Sequence, residues 1–217
     1  TRMKVLAVSV GGPQEVQWQG RSVLTSIFKQ QVSDRVHVTR LNIDGDRQSD
    51  LTVHGGPEKA VYGYPGEHYP RWRIGLPEAE LAWGAFGENL TTDGLLESEV
   101  CIGDRYRVGS TELLVTQPRM PCYKLGVRFG RSDMVKLFHR SGRSGFYFSV
   151  VREGALAAGD AIELLERDER GLTVADVVKL YAADAMNQPL LERATHHPGL
   201  PSAWRDYFKK RLWTPDE

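Results

Sequence analysis

Cysteine is scarce in this sequence, because its 217 residues include two, Cys101 and Cys122. Two thiols form one disulfide at most, and they cannot supply the four thiolates of an iron–sulfur cluster. We recognise no secretory leader at the start and no apolar run near the roughly 18 residues of a membrane span. We therefore expect a cytoplasmic protein with reduced thiols and no membrane partner.

An excess of charge of either sign is also absent, because 28 Lys and Arg residues balance 28 Asp and Glu residues. Nucleic-acid-binding proteins rely on an excess of cations to neutralise phosphates, so we expect no nucleic-acid partner. The sequence also lacks the phosphate-binding G-x-x-x-x-G-K-[ST] loop, the dinucleotide-binding G-x-G-x-x-G fingerprint and the zinc-binding H-E-x-x-H motif. His196 and His197 precede Pro-Gly, and this context favours an exposed helix end over a metal site.

The fold class follows from a change of periodicity along the chain. Before about residue 168, short β-rich runs alternate with glycine-containing turns, and RYRV and TELLV flank Gly109-Ser110 as in a hairpin. After residue 170, the apolar residues of VADVVKLY recur at a helical spacing. We predict a mainly β domain over residues 1–168, followed by a small three-helix domain over residues 169–217.

Helix starts are marked by residues suited to the first turn. Thr173 and Asp176 have the spacing of a capping box, Pro189 suits a first turn, and Ser202 is a candidate cap for the last helix. Ser132 is a candidate cap for a short helix in the first domain. Helices this short are unstable alone, so the last three must pack together or on the sheet.

Cys122 lies in QPRMPCYK, directly after the strand-like run TELLVT. Pro118 and Pro121 have a fixed φ and no N–H donor, so they predict a stiff loop that presents the thiol. A lone cysteine is more often a small buried hydrophobe. Arg119 and Lys124 are expected to lower the pKa of the thiol, however, and so favour a reactive thiolate. Cys101 lies in the alternating run VCIGD, which favours the buried, inert alternative.

Three further segments carry polar candidates. His54, Gly55, Gly56 and Lys59 form either an anion-binding nest or an ordinary tight turn. Taken alone, the segment FGENLTTDG indicates a connecting loop. The strand-like segment GRSVLTSIFK, taken alone, indicates a solvent-exposed strand face. Their candidate residues are Asn89, Thr91, Ser26 and Lys29.

Three segments occur in this order along the chain: VHGGPEKAVYGYPGEHYPRW, FGENLTTDGL and QPRMPCYKL. Through these three segments the sequence resembles MOSC-domain proteins of the YiiM type. This family is related to the C-terminal domain of molybdenum cofactor sulfurase, and the likeness runs from about Val5 to Trp213. It implies a MOSC-type β-barrel followed by a three-helix domain. It also implies that the molybdenum cofactor, a metal held by a pterin dithiolene, is bound here with Cys122 as the metal ligand. The implied cofactor-binding residues are Ser26, Lys29, His54, Gly55, Gly56, Lys59, Asn89, Thr91, Arg119 and Cys122.

The resemblance further implies an oxidoreductase that reduces N-hydroxylated compounds, such as hydroxylaminopurine base analogues, to amines. Cys122 is the implied catalytic residue. From residue type, His54 is a candidate catalytic proton donor and His68 is the alternative, since imidazole is suited to proton transfer near neutral pH. The chain has no evident site for NAD(P)H, so we expect a separate redox partner, a flavoprotein reductase, to dock near Lys124, Arg128 and Arg131. The alternative from another class is a non-catalytic carrier of persulfide sulfur on Cys122, or of the cofactor itself.

Overall fold

The computed structural model describes residues 3–48, 55–182 and 187–212. Strands outnumber helices in the described part of the first domain. The described residues contain twelve strands, which are β1 (Lys4–Val10), β2 (Gln14–Trp18), β3 (Arg21–Thr25), β4 (Gln30–Val32), β5 (Val36–Val38), β6 (Val61–Pro65), β7 (Leu90–Asp93), β8 (Arg105–Val108), β9 (Thr111–Pro118), β10 (Phe146–Arg152), β11 (Gly154–Leu156) and β12 (Ile162–Glu166).

Eight strands form one sheet in the order β12-β8-β9-β10-β6-β7-β1-β4. Neighbouring strands are antiparallel, except that β6 and β7 run parallel. An isolated bridge between Lys4 and Ala161 joins the start of β1 to the residue before β12. Among the described residues this bridge does not extend into a ladder. The mainly β fold with added helices is therefore confirmed, but the predicted barrel is not closed.

The predicted hairpin is present, because β8 and β9 pair with Val108 opposite Thr111 across Gly109-Ser110. Gly109 has φ of 58°, in the left-handed region that this short turn requires. The strand-like segment GRSVLTSIFK is a strand only in part, because β3 ends at Thr25 and β4 begins at Gln30. The irregular stretch between them carries two of the predicted site residues, Ser26 and Lys29.

Helices lie between the strands and after them. The ranges are α1 (Tyr69–Gly75), α2 (Tyr123–Phe129), α3 (Met134–Ser141), α4 (Val174–Ala182), α5 (Gln188–Thr195) and α6 (Ser202–Lys209), with 3₁₀ helices at Pro57–Lys59 and Gly66–His68. No helix in the described ranges is long and apolar enough to cross a bilayer.

The helix starts agree with the sequence in part. The backbone N–H of Asp176 donates to Thr173 Oγ1 at 3.0 Å, and that of Thr173 donates to the Asp176 carboxylate at 3.2 Å, which completes the predicted capping box. Pro189 lies in the first turn of α5 as predicted. The predicted serine caps are wrong, because α3 and α6 begin after Asp133 and Pro201 without a side-chain cap.

The three-helix domain shares one apolar core with the sheet. Val174, Val177 and Leu191 from the helices belong to the same buried cluster as Val115 and Phe148 from β9 and β10. A second cluster, mostly aromatic, packs around Tyr64 and Phe86 beneath α1 and α3. A polar network also joins the two parts, because His197 Nε2 lies 3.2 Å from Asp168 Oδ1 and the Asp168 backbone contacts Asp104. Asp104 is fully buried, and its carboxylate accepts hydrogen bonds from Cys101 N, Asp168 N and Arg167 Nη1 at 2.9 to 3.0 Å.

Candidate functional site

A cleft of about 620 Å³, part of it open to solvent, lies where several chain segments meet at the sheet. The segments are the β3–β4 connection, the first 3₁₀ helix, β6, β10 and the loop from β9 to α2. The lining residues are Thr25, Ser26, Ile27, Lys29, Asp46, Gln48, Gly55, Lys59, Tyr62, Gly87, Asn89, Arg119, Cys122, Lys124 and Tyr147. This cleft is called the central cleft below.

Seven predicted cofactor-binding residues meet in the central cleft, although they come from distant parts of the sequence. They are Ser26, Lys29, Gly55, Lys59, Asn89, Arg119 and Cys122. Gly56 and Thr91 do not line it, and His54 lies outside the described residues. The roles assigned to these side chains stay predictions, whereas their convergence is a feature of the fold.

Cys122 lies at the cleft because β9 ends at Pro118 and α2 begins at Tyr123. It is the N-cap residue of α2 in extended conformation, and its carbonyl accepts from Leu125 N at 3.0 Å. The thiol is free and partly exposed. The structure therefore presents Cys122 on the predicted loop, at a position that a ligand in the cleft can reach.

Arg119 is a buried cation of the cleft, since its exposed fraction is 6%. The guanidinium carbon lies 5.3 Å from the ring centroids of both Tyr62 and Phe138, so two aromatic faces hold it. Among the described residues, its Nη1 atom has no hydrogen-bond partner. A buried donor without a partner costs free energy, and an anionic ligand in the cleft would recover that cost.

Lys29 forms an ion pair with Asp46, and both side chains are nearly buried. The Asp46 carboxylate also accepts from Gly11 N at 2.8 Å, which fixes its position. Asp46 was missed as a site residue, because DGD at 44–46 is ordinary turn sequence and nothing local distinguishes its last aspartate. Nearby, Ser26 Oγ is buried and has no partner within the described part of the chain.

The glycine pair before Lys59 has the backbone that a nest requires. Gly55 has φ of 119° and Gly56 has φ of 86°, and such values are rare for residues with a side chain. Gly56 precedes the 3₁₀ helix Pro57–Lys59, and its carbonyl accepts from Lys59 N at 3.0 Å. This turn places Gly55 and Lys59 on the wall of the central cleft.

Asn89 and Thr91 have structural contacts. The Asn89 side chain accepts from Tyr62 N at 3.0 Å and donates to the Ser9 carbonyl at 3.3 Å, so it joins three neighbouring segments of the sheet. Thr91 is fully buried and donates to Glu88 Oε1 at 3.0 Å. Tyr69 and two backbone N–H groups also donate to the Glu88 carboxylate. Thr91 therefore supports a buried carboxylate beside β7.

The charge of the central cleft is positive, because four cationic side chains and one carboxylate line it. Burial raises the pKa of Tyr62 and of Tyr147, so neither phenol adds negative charge near neutral pH. The Tyr62 hydroxyl donates to the Ser144 carbonyl at 2.8 Å. The cleft as built suits an anionic ligand with apolar surface.

The remaining candidates lie elsewhere. His68 Nε2 is 2.7 Å from Glu97 Oε2, and His68 is not among the residues that line the cleft. Cys101 is buried as predicted, and burial raises the pKa of its thiol. The expectation of an exposed histidine pair is wrong for His197, which is fully buried against Asp168, whereas His196 is exposed.

Comparison with known families agrees with this architecture. A family model described as MOSC domain matches residues 50–163, more than half of the chain. The chain therefore belongs to the MOSC domain family. A second model, described as YiiM-like, 3-alpha helix domain, matches residues 172–214, which include α4 to α6. The predicted boundary between residues 168 and 169 stays a prediction.

Individual relatives extend the likeness over nearly the whole chain. An uncharacterized protein of Bacillus subtilis, YflK, is 42% identical over 97% of this chain and 95% of its own length. Protein YiiM of Escherichia coli is 41% identical over 86% of this chain and 84% of its own. The crystal structure of YiiM from Geobacillus stearothermophilus is 34% identical, with a TM-score of 0.81 over 97% of this chain and all of that one.

A third relative carries a functional name. A protein of Gibberella moniliformis named Reductase is 37% identical over 89% of this chain, which spans 35% of that protein's length.

Proposed function

We propose that the protein is a molybdenum-cofactor-dependent reductase that converts N-hydroxylated compounds to amines. Membership of a family named for the molybdenum cofactor sulfurase supports the cofactor, and the relative named Reductase supports the class of reaction. The observation that carries the proposal is the joint position of Cys122 and the buried cation Arg119 at one cleft.

The unsatisfied polar atoms of the cleft fit the proposed cofactor. Arg119 Nη1 and Ser26 Oγ are buried without partners in the described residues, and the pterin of this cofactor carries a phosphate that can accept from both. Lys59 and Lys124 add positive charge on the same wall. We assign Arg119, Ser26, Lys29 and Lys59 to the anionic part of the cofactor, and the Gly55-Gly56 turn to close backbone approach.

The donor set also fits. Among the described residues, no group of three or more His, Cys, Asp and Glu side chains is arranged to hold a metal ion. A single soft thiolate suits molybdenum whose other ligands come from the cofactor itself. Cys122 is therefore the proposed metal ligand and a catalytic residue.

The proposed reaction adds two electrons and two protons to R–NHOH, so that the N–O bond breaks and R–NH₂ and water form. Bound molybdenum would supply the two-electron chemistry at the oxygen atom. The protein would orient the substrate against it and hold protons nearby. His54 directly precedes the cleft residue Gly55 and is the proposed proton donor, since an imidazole titrates near neutral pH.

The alternative is a carrier of a persulfide on Cys122. A persulfide requires only the thiol, whereas the buried cationic wall implies an anionic ligand in the cleft. The structural observation therefore favours a bound cofactor.

The deciding experiment is Cys122→Ser in cells that make the molybdenum cofactor. We expect loss of bound molybdenum and of 6-hydroxylaminopurine reduction. The free energy of unfolding should change by less than about 1 kcal/mol, because the loop thiol supports no core. Elemental analysis and single-turnover assays of reduced protein measure the first two. Cys101→Ser is the control and should retain both metal and turnover, whereas wild-type metal content and turnover in Cys122→Ser would refute the proposal.

A further inference from the structure

The three-helix domain contacts the central cleft through a short chain of hydrogen bonds. Trp204 in α6 donates from its indole nitrogen to Gln117 Oε1 at 2.9 Å. Gln117, in β9, donates from its amide nitrogen to the Glu58 carbonyl at 3.4 Å. Glu58 precedes Lys59, which lines the cleft, so one side chain of the helical domain lies two hydrogen bonds and one peptide bond from a cleft cation.

The chemistry of the indole group sets the orientation of this chain. An indole N–H is a donor only, so the Gln117 amide must turn its oxygen toward Trp204. The amide nitrogen then faces Glu58, whose carbonyl is an acceptor. Gln117 is buried, with 4% of its surface exposed, so solvent does not compete for the amide.

The segment that receives these bonds has little stability of its own. Pro57–Lys59 is a single 3₁₀ turn without a side-chain cap or a buried residue. So short a helix holds its shape through contacts with the rest of the protein. The Glu58 carbonyl, which also lies 2.7 Å from Thr116 Oγ1, is the point where β9 holds the turn.

We propose that Trp204 is a positioning residue that holds Lys59 in the central cleft through Gln117 and the Glu58 carbonyl. The inference rests on the proposed function in that Lys59 is one of the cations assigned to the anionic part of the cofactor. It makes the last helix part of the ligand-binding unit.

The test measures charge in the cleft of metal-free protein. Iodoacetate and iodoacetamide alkylate the same thiolate, so changes in thiolate fraction cancel in the ratio of their rates at Cys122. Iodoacetate is anionic and iodoacetamide is neutral, so nearby cations increase the rate of iodoacetate relative to that of iodoacetamide. The ratio of the iodoacetate rate to the iodoacetamide rate therefore responds to the position of Lys59. Peptide mass spectrometry separates Cys122 from Cys101.

We expect Trp204→Phe, which keeps the ring and removes the N–H, to lower this ratio by about two- to threefold in a folded protein. Gln117→Met should lower it similarly from the other end of the chain of bonds. Tyr207→Phe, on the same helix, is the control and should leave it unchanged. In a Lys59→Ala background, Trp204→Phe should cause no further drop.

A wild-type ratio in both folded variants, Trp204→Phe and Gln117→Met, would overturn the inference. A drop that persists in the Lys59→Ala background would also do so, because Trp204 would then act through another group. A general loosening of the protein would raise both alkylation rates and leave their ratio unchanged, which also contradicts the inference. None of these results depends on molybdenum, so they stand apart from the Cys122→Ser test of the proposed function.

Discussion

Arg119 is expected to lower the stability of the cofactor-free protein and to strengthen the binding of the proposed cofactor. Its guanidinium is removed from water, and contact with the ring faces of Tyr62 and Phe138 offsets part of the lost hydration. Its Nη1 atom has no hydrogen-bond partner in the described structure, however. A buried charged donor left unsatisfied reduces stability, and the same donor makes a strong bond to an anion. We therefore expect removal of this charge to weaken cofactor binding without an equal loss of stability in the cofactor-free protein.

Arg119→Met tests that expectation, because methionine keeps the packing against both rings and removes the charge. We expect cofactor affinity to fall by about 1.5–3 kcal/mol, while the cofactor-free protein loses little or no stability. Occupancy at limiting cofactor and urea unfolding measure the two effects. Arg128→Met is the matched control, since Arg128 stacks on Phe28 and Phe129 and does not line the central cleft. Unchanged occupancy in Arg119→Met would remove Arg119 from the binding site.

The positions of residues were predictable from the sequence where the local context was unusual. Cys122 follows two prolines and lies between two cations, and its loop is where the sequence placed it. Asp46 was not, because its importance comes from Lys29, 17 residues earlier in the chain. Thr91 was selected by its motif, and its contact with Glu88 depends on packing that one segment does not encode.

His197 gives a prediction about pH. Burial lowers the pKa of its imidazole below the usual 6.5, despite the nearby Asp168 carboxylate. Below about pH 6.5 the unfolded chain therefore binds more protons at this site than the folded protein does. The stabilisation is fully present above about pH 6.5 and is lost as pH falls through the lower folded-state pKa.

We expect the free energy of unfolding, measured in urea between pH 5 and 8, to rise with pH up to about pH 6.5 and to level off above it. His197→Gln should reduce that slope, whatever its effect on absolute stability. His196→Gln removes the exposed neighbour and is the control. An undiminished slope in His197→Gln would assign the pH dependence to other groups.

At the scale of elements, the irregular segments build the site and the regular ones hold it. Ser26 and Lys29 lie where β3 breaks before β4, and Cys122 lies where β9 gives way to α2. The sequence predicted the hairpin and the capping box, because both depend on residues close in the chain. It did not predict the break at Ser26, because LTSIFKQQV is β-rich throughout and tertiary contacts decide where pairing stops.

The helices α4 to α6 give an element-scale prediction. They share the main apolar core with the sheet, and Val174 N and Ala175 N donate to the Val100 and Glu97 carbonyls at 2.9 Å. We expect a chain that ends at Gly171 to expose apolar core and to lose cooperative unfolding. Solubility and a urea transition followed by near-ultraviolet circular dichroism measure this. A soluble, cooperative and cofactor-binding truncated chain would make the helices an accessory.

At the scale of the whole molecule, the proposed reaction requires a second protein that supplies electrons. Each R–NHOH needs two electrons, and the sequence has no dinucleotide fingerprint and two cysteines. A flavoprotein reductase that docks at the mouth of the central cleft is the proposed partner. Of the cations expected at the dock, Lys124 is buried in the cleft wall and Arg131 is paired with Asp133 at 2.8 Å, and the dock itself stays a prediction.

We therefore predict that NADPH alone supports no turnover by the loaded protein, whereas chemically reduced protein converts substrate once. A flavoprotein reductase should restore continuous turnover. Raising salt from 50 to 300 mM should slow this turnover by only about two- to threefold, because two of the cations expected to steer an acidic partner are buried (Lys124) or paired with a carboxylate (Arg131). Salt should not affect the single turnover of the chemically reduced protein, which serves as the control. Sustained turnover with NADPH and no second protein would place an electron-accepting site within this chain, and the partner would not be required.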